Sequence, residues 1–309
     1  MKKRVSALAI MSALIAGQAA AQDPAYASKA AALYRVAPDI GGCKAGELTA
    51  AEKQKALDTV NDIRRLHALP PVVYDPAGDE EVMQISLMTA ANGQLSHLPP
   101  QSWRCYSEAG VKGAQSGNLH GGLISPYLGF DTTEDIVIGW VTEARNAVPD
   151  SVGHRRWLLD PFLKKIAFGR VSGPTAGGMT DGSAIKVIYP SNGATMAKVE
   201  FVAYPQGDYP ARYFDPKALL SFAAIIDTSS SWNNQAVDYS AAKVTITRRG
   251  GGAIGLGKIA YDTYGFGMPN NLQVQTPVLQ YGVYYDVSIT NVKVRGVARD
   301  YSYWFRIVQ

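Results

Sequence analysis

The chain has 309 residues, 47% of them hydrophobic and 18% charged, which excludes a disordered chain and is long enough for more than one core. Its formal charge of +4 is local: three of the 30 basic residues are Lys2, Lys3 and Arg4, and residues 1–21 hold no acid. Without that segment 27 basic residues face 26 acidic ones, a balance of +1 that gives nucleic acid no electrostatic footprint.

The basic start, the apolar run from Val5 to Ala16 and Ala19-Ala20-Ala21 predict a secretory signal peptide cleaved after Ala21, with a periplasmic or secreted product. No run reaches the roughly 20 apolar residues of a membrane span, so no membrane anchor is expected. The two cysteines, Cys43 and Cys105, would meet an oxidising compartment, which favours one intrachain disulfide over two buried thiols.

Thr49 and Glu52 have capping-box spacing, and Ala56, Val60, Ile63 and His67 recur at helical intervals until Pro70-Pro71, predicting a first helix. A second follows Asp75-Pro76, with Val82, Ile85 and Met88 as its stripe and Asn92-Gly93 as its stop; His97 lies just beyond. A third starts near Thr133, where Glu134 and Asp135 suit the helix dipole, and places Glu143 on the face of Ile136 and Trp140. A carboxylate aimed at apolar neighbours needs a partner. Ser151 is expected to cap a short fourth helix carrying His154, followed by strands over 166–171 and 184–189. Past Pro190 the chain turns strand-rich: Val283, Tyr285, Val287 and Ile289 alternate with Tyr284, Asp286, Ser288 and Thr290, and similar runs occupy 198–204, 243–247 and 301–308.

His97, Glu143 and His154 together are a donor set that a zinc-type ion accepts with one position left open. Asn118 and His120 are second-tier candidates beside them, while His67, at a helix C-terminus, suits a structural cation. Gly250, Gly252 and Gly255 have dinucleotide-loop spacing but lead into a strand-like segment, so a hairpin is expected instead. Tyr209, Tyr213, Trp232, Tyr261 and Tyr264 are expected to pack within the strands rather than form a binding face.

Several short pieces appear in a telling order: Asn61 to Arg64, Pro71 to Asp75, Ser96-His97, Gly117-Asn118-Leu119, Trp140 with Glu143, Gly153-His154-Arg155 and Ala167 to Gly169. From Glu47 to about Val171 they resemble the CAP superfamily, which includes cysteine-rich secretory proteins, antigen 5, plant pathogenesis-related proteins and bacterial secreted members. The resemblance implies an α/β/α sandwich whose cleft holds two histidines and two acids. His97, Glu143 and His154 match three of these positions; at the fourth, before Asn118-Leu119, the chain has Gly117.

The expected fold class is α+β, a CAP-type α/β/α sandwich followed by an all-β antiparallel sandwich-like domain. The expected divisions are signal peptide 1–21, an extension 22–46, a CAP domain 47–190 and a β domain 191–309. The expected function is a secreted, non-catalytic protein whose cleft takes a divalent metal such as zinc, or a small lipid, sterol or peptide ligand. The alternatives are a metal-dependent hydrolase acting on peptides or envelope material, and an adhesin that meets an envelope or extracellular protein through the β domain.

Overall fold

The computed structural model describes residues 25–144, 146, 151–190 and 193–309; the expected signal peptide, 1–21, lies outside them. The first described elements are a short helix α1 (Tyr26–Ala31) and a ribbon of β1 (Tyr34–Val36) and β2 (Glu47–Leu48). They are followed by α2 (Ala50–Leu66), β3 (Val73–Tyr74), α3 (Asp79–Asn92), α4 (Glu108–Ser116), β4 (Gly117–Ser125), α5 (Thr133–Thr142), α6 (Gly153–Leu158), β5 (Lys165–Thr175) and β6 (Gly178–Lys186).

The sheet order is β3-β5-β6-β4, with only the β3–β5 pair parallel. Its two faces follow strand alternation. Ala167, Ala184 and Leu119 turn to one side and pack with Val82, Ile85 and Met88 of α3 and Ala114 of α4. Phe168 and Ile185 turn to the other, into the core that includes Ile63 of α2 and Trp140 of α5. The result is an α/β/α sandwich. Its closeness has a local cause at Gly169 and Gly182, where an added Cβ would lie 2.5 Å from the Val82 carbonyl carbon and 2.4 Å from the Ser86 oxygen.

The helix signals are partly realised. Thr49 accepts from the Glu52 amide, but the Glu52 carboxylate takes Lys55 and the buried Thr133 hydroxyl instead of closing the box. The complete capping box is at α5, between Thr132 and Asp135. Gly93 ends α3 in the left-handed region, as Asn92-Gly93 predicts. The expected Ser151 cap is not formed: the residue before α6 is Val152, itself left-handed, with no side-chain cap.

The remaining strands are β7 (Phe201–Tyr204), β8 (Gly207–Pro210), β9 (Leu220–Ala224), β10 (Val237–Asp238), β11 (Lys243–Arg248), β12 (Ile259–Asp262), β13 (Asn271–Val274), β14 (Tyr284–Val294) and β15 (Val297–Val308). They form one sheet of order β12-β13-β9-β7 and another of order β10-β14-β15-β8, with β11 also on β14. Between them pack Phe201, Phe222, Tyr301 and Tyr303. Tyr285, Val287 and Ile289 are buried as their alternation predicts. One edge pairing, β8 on β15, is parallel. Gly250 to Gly255 form a hairpin return in which Arg248 N–H donates to Gly252 O and Ile254 N–H to Ile246 O.

A disulfide joins Cys43, in the N-terminal segment, to Cys105, just before α4. Tyr26 holds the same segment to the sheet through Ser172 Oγ at 2.9 Å and Thr180 O at 3.0 Å, and burial pushes its phenol up to about 12. The hydrophobic core is continuous from Leu33 through the sandwich to Ile307. Among the described residues no helix is long and apolar enough to cross a membrane.

Candidate functional site

Glu143 follows α5 as its C-cap with φ +59, so the helix does not continue through it and its side chain leaves the Ile136 and Trp140 face. Its carboxylate is only 4% exposed and is fully engaged. One oxygen, Oε2, accepts from His154 Nδ1 at 2.9 Å and from Asn146 Nδ2 at 2.7 Å; the other, Oε1, accepts from the Arg155 amide at 3.0 Å. These bonds supply the partners that a buried carboxylate requires.

A carboxylate oxygen can only accept here, so Nδ1 of His154 carries the proton. In the neutral ring Nε2 is then an unprotonated lone pair. His97 is arranged in the same way: its Nδ1 lies 2.6 Å from Ala114 O, near the end of α4, and a carbonyl too can only accept. Both imidazoles therefore have Nδ1–H held by an oxygen and Nε2 available, the arrangement of metal-ligating histidines oriented by an outer acceptor.

The two rings are tied to one stretch of chain. Ala114 holds His97, and Asn118, second residue of β4, donates to His154 O at 3.1 Å. Trp140 Nε1 donates to Leu119 O, fixing α5 to the same strand. His120, further along β4, stands 3.8 Å from Asp131. Among the described residues no group of three or more His, Cys, Asp and Glu side chains has the arrangement of a metal site.

Gly117 is closed to side chains. A Cβ there would stand 2.6 Å from the Ile185 carbonyl oxygen of β6, so an acid at this position requires the strand to move. The fourth position implied by the resemblance is therefore packed against backbone.

Three arginines fix α6. Arg64 of α2 is wholly buried and donates to Pro70 O, Leu158 O, Asp160 O and Leu163 O, clamping the end of α6; desolvation lowers its pKa to about 10. Arg155 donates to Val141 O and Thr142 O of α5 and to Leu219 O and Ser221 Oγ in the sandwich, and its guanidinium lies 3.7 Å from the Tyr204 ring centre. Arg156 reaches Asp262 Oδ1 at 2.7 Å, Tyr264 O and Met268 O. The helix that carries His154 is thus bonded to both halves of the chain. His67 is buried beside this junction with Nε2 3.2 Å from Tyr209 OH, and burial pushes its pKa down to about 3. Its role is structural but neutral, not the helix-end cation its position suggested.

Residues 57–181 match the model of the cysteine-rich secretory protein family, CAP. The chain carries a CAP domain. The comparison with curated proteins finds no match. The matched span takes in His97, Glu143 and His154 as well as the four strands of the CAP sheet up to Asp181.

The residue types and their order single out His97, Glu143 and His154 as one set; Glu143 bonds to His154, while His97 is held on Ala114 O. That pattern did not reveal the backbone partners, Ala114 O and the Arg155 amide, because backbone atoms carry no residue identity. Asn146 was also missed; its spacing from Glu143 has no distinctive signature.

Proposed function

We propose that the protein acts outside the cytoplasm as a non-catalytic CAP-domain binding protein, with His97 and His154 supplying Nε2 donors to a divalent ion such as zinc. Glu143 acts as the outer partner that orients His154. When bound, the ion would provide a positively charged anchor for a polar headgroup or carboxylate on a small lipid, sterol or peptide ligand. The observation that carries this reading is the matched setting of the two rings, each with Nδ1 within hydrogen-bond distance of an oxygen that can only accept.

Export is supported by the basic start and apolar run of residues 1–21, and the disulfide fits an oxidising compartment. A binding rather than hydrolytic role is supported by Glu143, the nearest candidate base, whose two oxygens already accept three hydrogen bonds.

Calorimetric zinc titration tests the reading. His97→Ala with His154→Ala should abolish binding, whereas Glu143→Gln should weaken it by about 10–100-fold, the usual cost of losing an outer-shell partner. Equal zinc affinity in the double variant and the wild type would contradict the assignment.

A further inference from the structure

The aromatic residues beyond Pro190 divide sharply. Tyr209 and Tyr213 are buried, but Trp232 is 66% exposed, Tyr264 63% and Phe266 37%. Tyr264 and Phe266 flank Gly265 in the chain, and Trp232 lies over it. A Cβ on Gly265 would stand 2.6 Å from Trp232 Cη2, so the indole rests directly on the glycine. The rings of Tyr264 and Phe266 have centres 5.9 Å apart.

This group is fixed rather than loosely displayed. Arg156 holds Asp262, Tyr264 O and Met268 O, and its guanidinium lies 5.4 Å from the Phe266 ring centre. Phe266 reaches back to α6: a Cβ on Gly153 would be 3.5 Å from Phe266 Cδ2. The aromatic group therefore begins one residue from His154.

We propose that Trp232, Tyr264 and Phe266 form a platform on which a pyranose ring of a neutral saccharide stacks, beside the His154 site. The shape and charge select this occupant. An apolar side chain or acyl chain gains most from a deep cavity, but the space between Arg155, Arg156, Phe222 and Met268 holds only about one water molecule. A phosphate or anionic membrane surface wants a basic rim. The basic group at the platform, Arg156, is already paired with Asp262; Asp227, beside the Trp232 segment, faces Arg295 at 3.8 Å. What remains is exposed aromatic surface, its Tyr264 and Phe266 rings tilted 57° to each other, with a phenol at its edge. The weakly positive C–H face of a sugar matches the negative face of an aromatic ring, and the phenol adds a hydrogen-bonding group. Holding the rings in advance lowers the ordering cost of binding.

This inference stands apart from the metal reading and is tested separately. Tetra-N-acetylchitotetraose and cellotetraose are titrated by calorimetry into the intact protein and into Trp232→Ala, with zinc titration and thermal melting as controls. The expected result is saturable binding of at least one sugar at millimolar or tighter affinity, weakened about tenfold or more in Trp232→Ala while zinc binding and melting are unchanged. Tyr264→Ala replaces that variant if it fails to fold. Absence of binding by both sugars, or binding unaffected by the substitution, overturns the proposal. So does Trp232-dependent binding to phosphatidylglycerol vesicles without sugar binding, which would make the surface a membrane contact.

Discussion

The identity of a side chain and the state in which the fold holds it are separate matters, and His67 shows why. At the end of α2 its position favours a cation. Complete burial between Tyr204 and Tyr209, near the guanidinium groups of Arg64 and Arg155, favours the neutral ring and wins. In the unfolded chain the imidazole gains its proton below its ordinary 6.5, whereas in the folded chain it does so only near 3. Its contribution to stability is therefore present above 6.5 and lost as the pH falls toward 3. Asp160, buried and raised to about 6, works in the opposite sense: the folded carboxyl gains its proton before the unfolded one as pH falls. Comparison with His67→Phe cancels that shared contribution. The stability advantage of the wild type over the variant should shrink by about 1.4 kcal/mol per pH unit between pH 6 and 4. Urea unfolding at three pH values checks it, and a pH-independent difference would refute the neutral histidine.

Element by element, the readable parts are those with a strong local pattern. Helices α2, α3 and α5 announce themselves through apolar spacing and end signals, and β14 through strict alternation. Helix α4 was not legible because Gly110 and Gly113 argue against a helix. Tertiary packing explains both: a Cβ on Gly113 would be 2.2 Å from Glu81 O, and one on Gly110 would be 2.3 Å from Met88 Sδ. These glycines let α4 lie against α3 and so place Ala114 to hold His97. Gly113→Ala, which would favour an isolated helix by about 1 kcal/mol, should instead destabilise the protein by about 1–3 kcal/mol through overpacking. A shift of the denaturant midpoint to higher concentration would contradict this packing. Residue type and order single out His97, Glu143 and His154, and two of these three, Glu143 and His154, are hydrogen-bonded to each other. The turn at Glu143 was not, since a left-handed glutamate has no sequence signature.

Across the whole molecule, the change in character near Pro190 is real in secondary structure, but the buried contacts do not stop there. Arg155 and Arg156 of α6 bond to the sandwich, His67 of α2 bonds to Tyr209, and one apolar core runs through both halves. Removing the sandwich would leave two arginines without several buried partners, a change that costs kilocalories rather than tenths. The protein should therefore unfold in one cooperative step, with far-ultraviolet and near-ultraviolet circular dichroism giving coincident urea transitions. Two separated transitions would show that the halves are energetically independent.

The central claim is that His97 and His154 both present Nε2 while oxygen acceptors hold their Nδ1 protons. Long-range proton–nitrogen correlation spectra of the neutral rings, recorded with and without zinc, address it most directly. The account predicts a proton on Nδ1 and a bare Nε2 in both residues before zinc, followed by a shift of both Nε2 signals with Nδ1 still protonated. A proton on Nε2 of either neutral ring before zinc would contradict it.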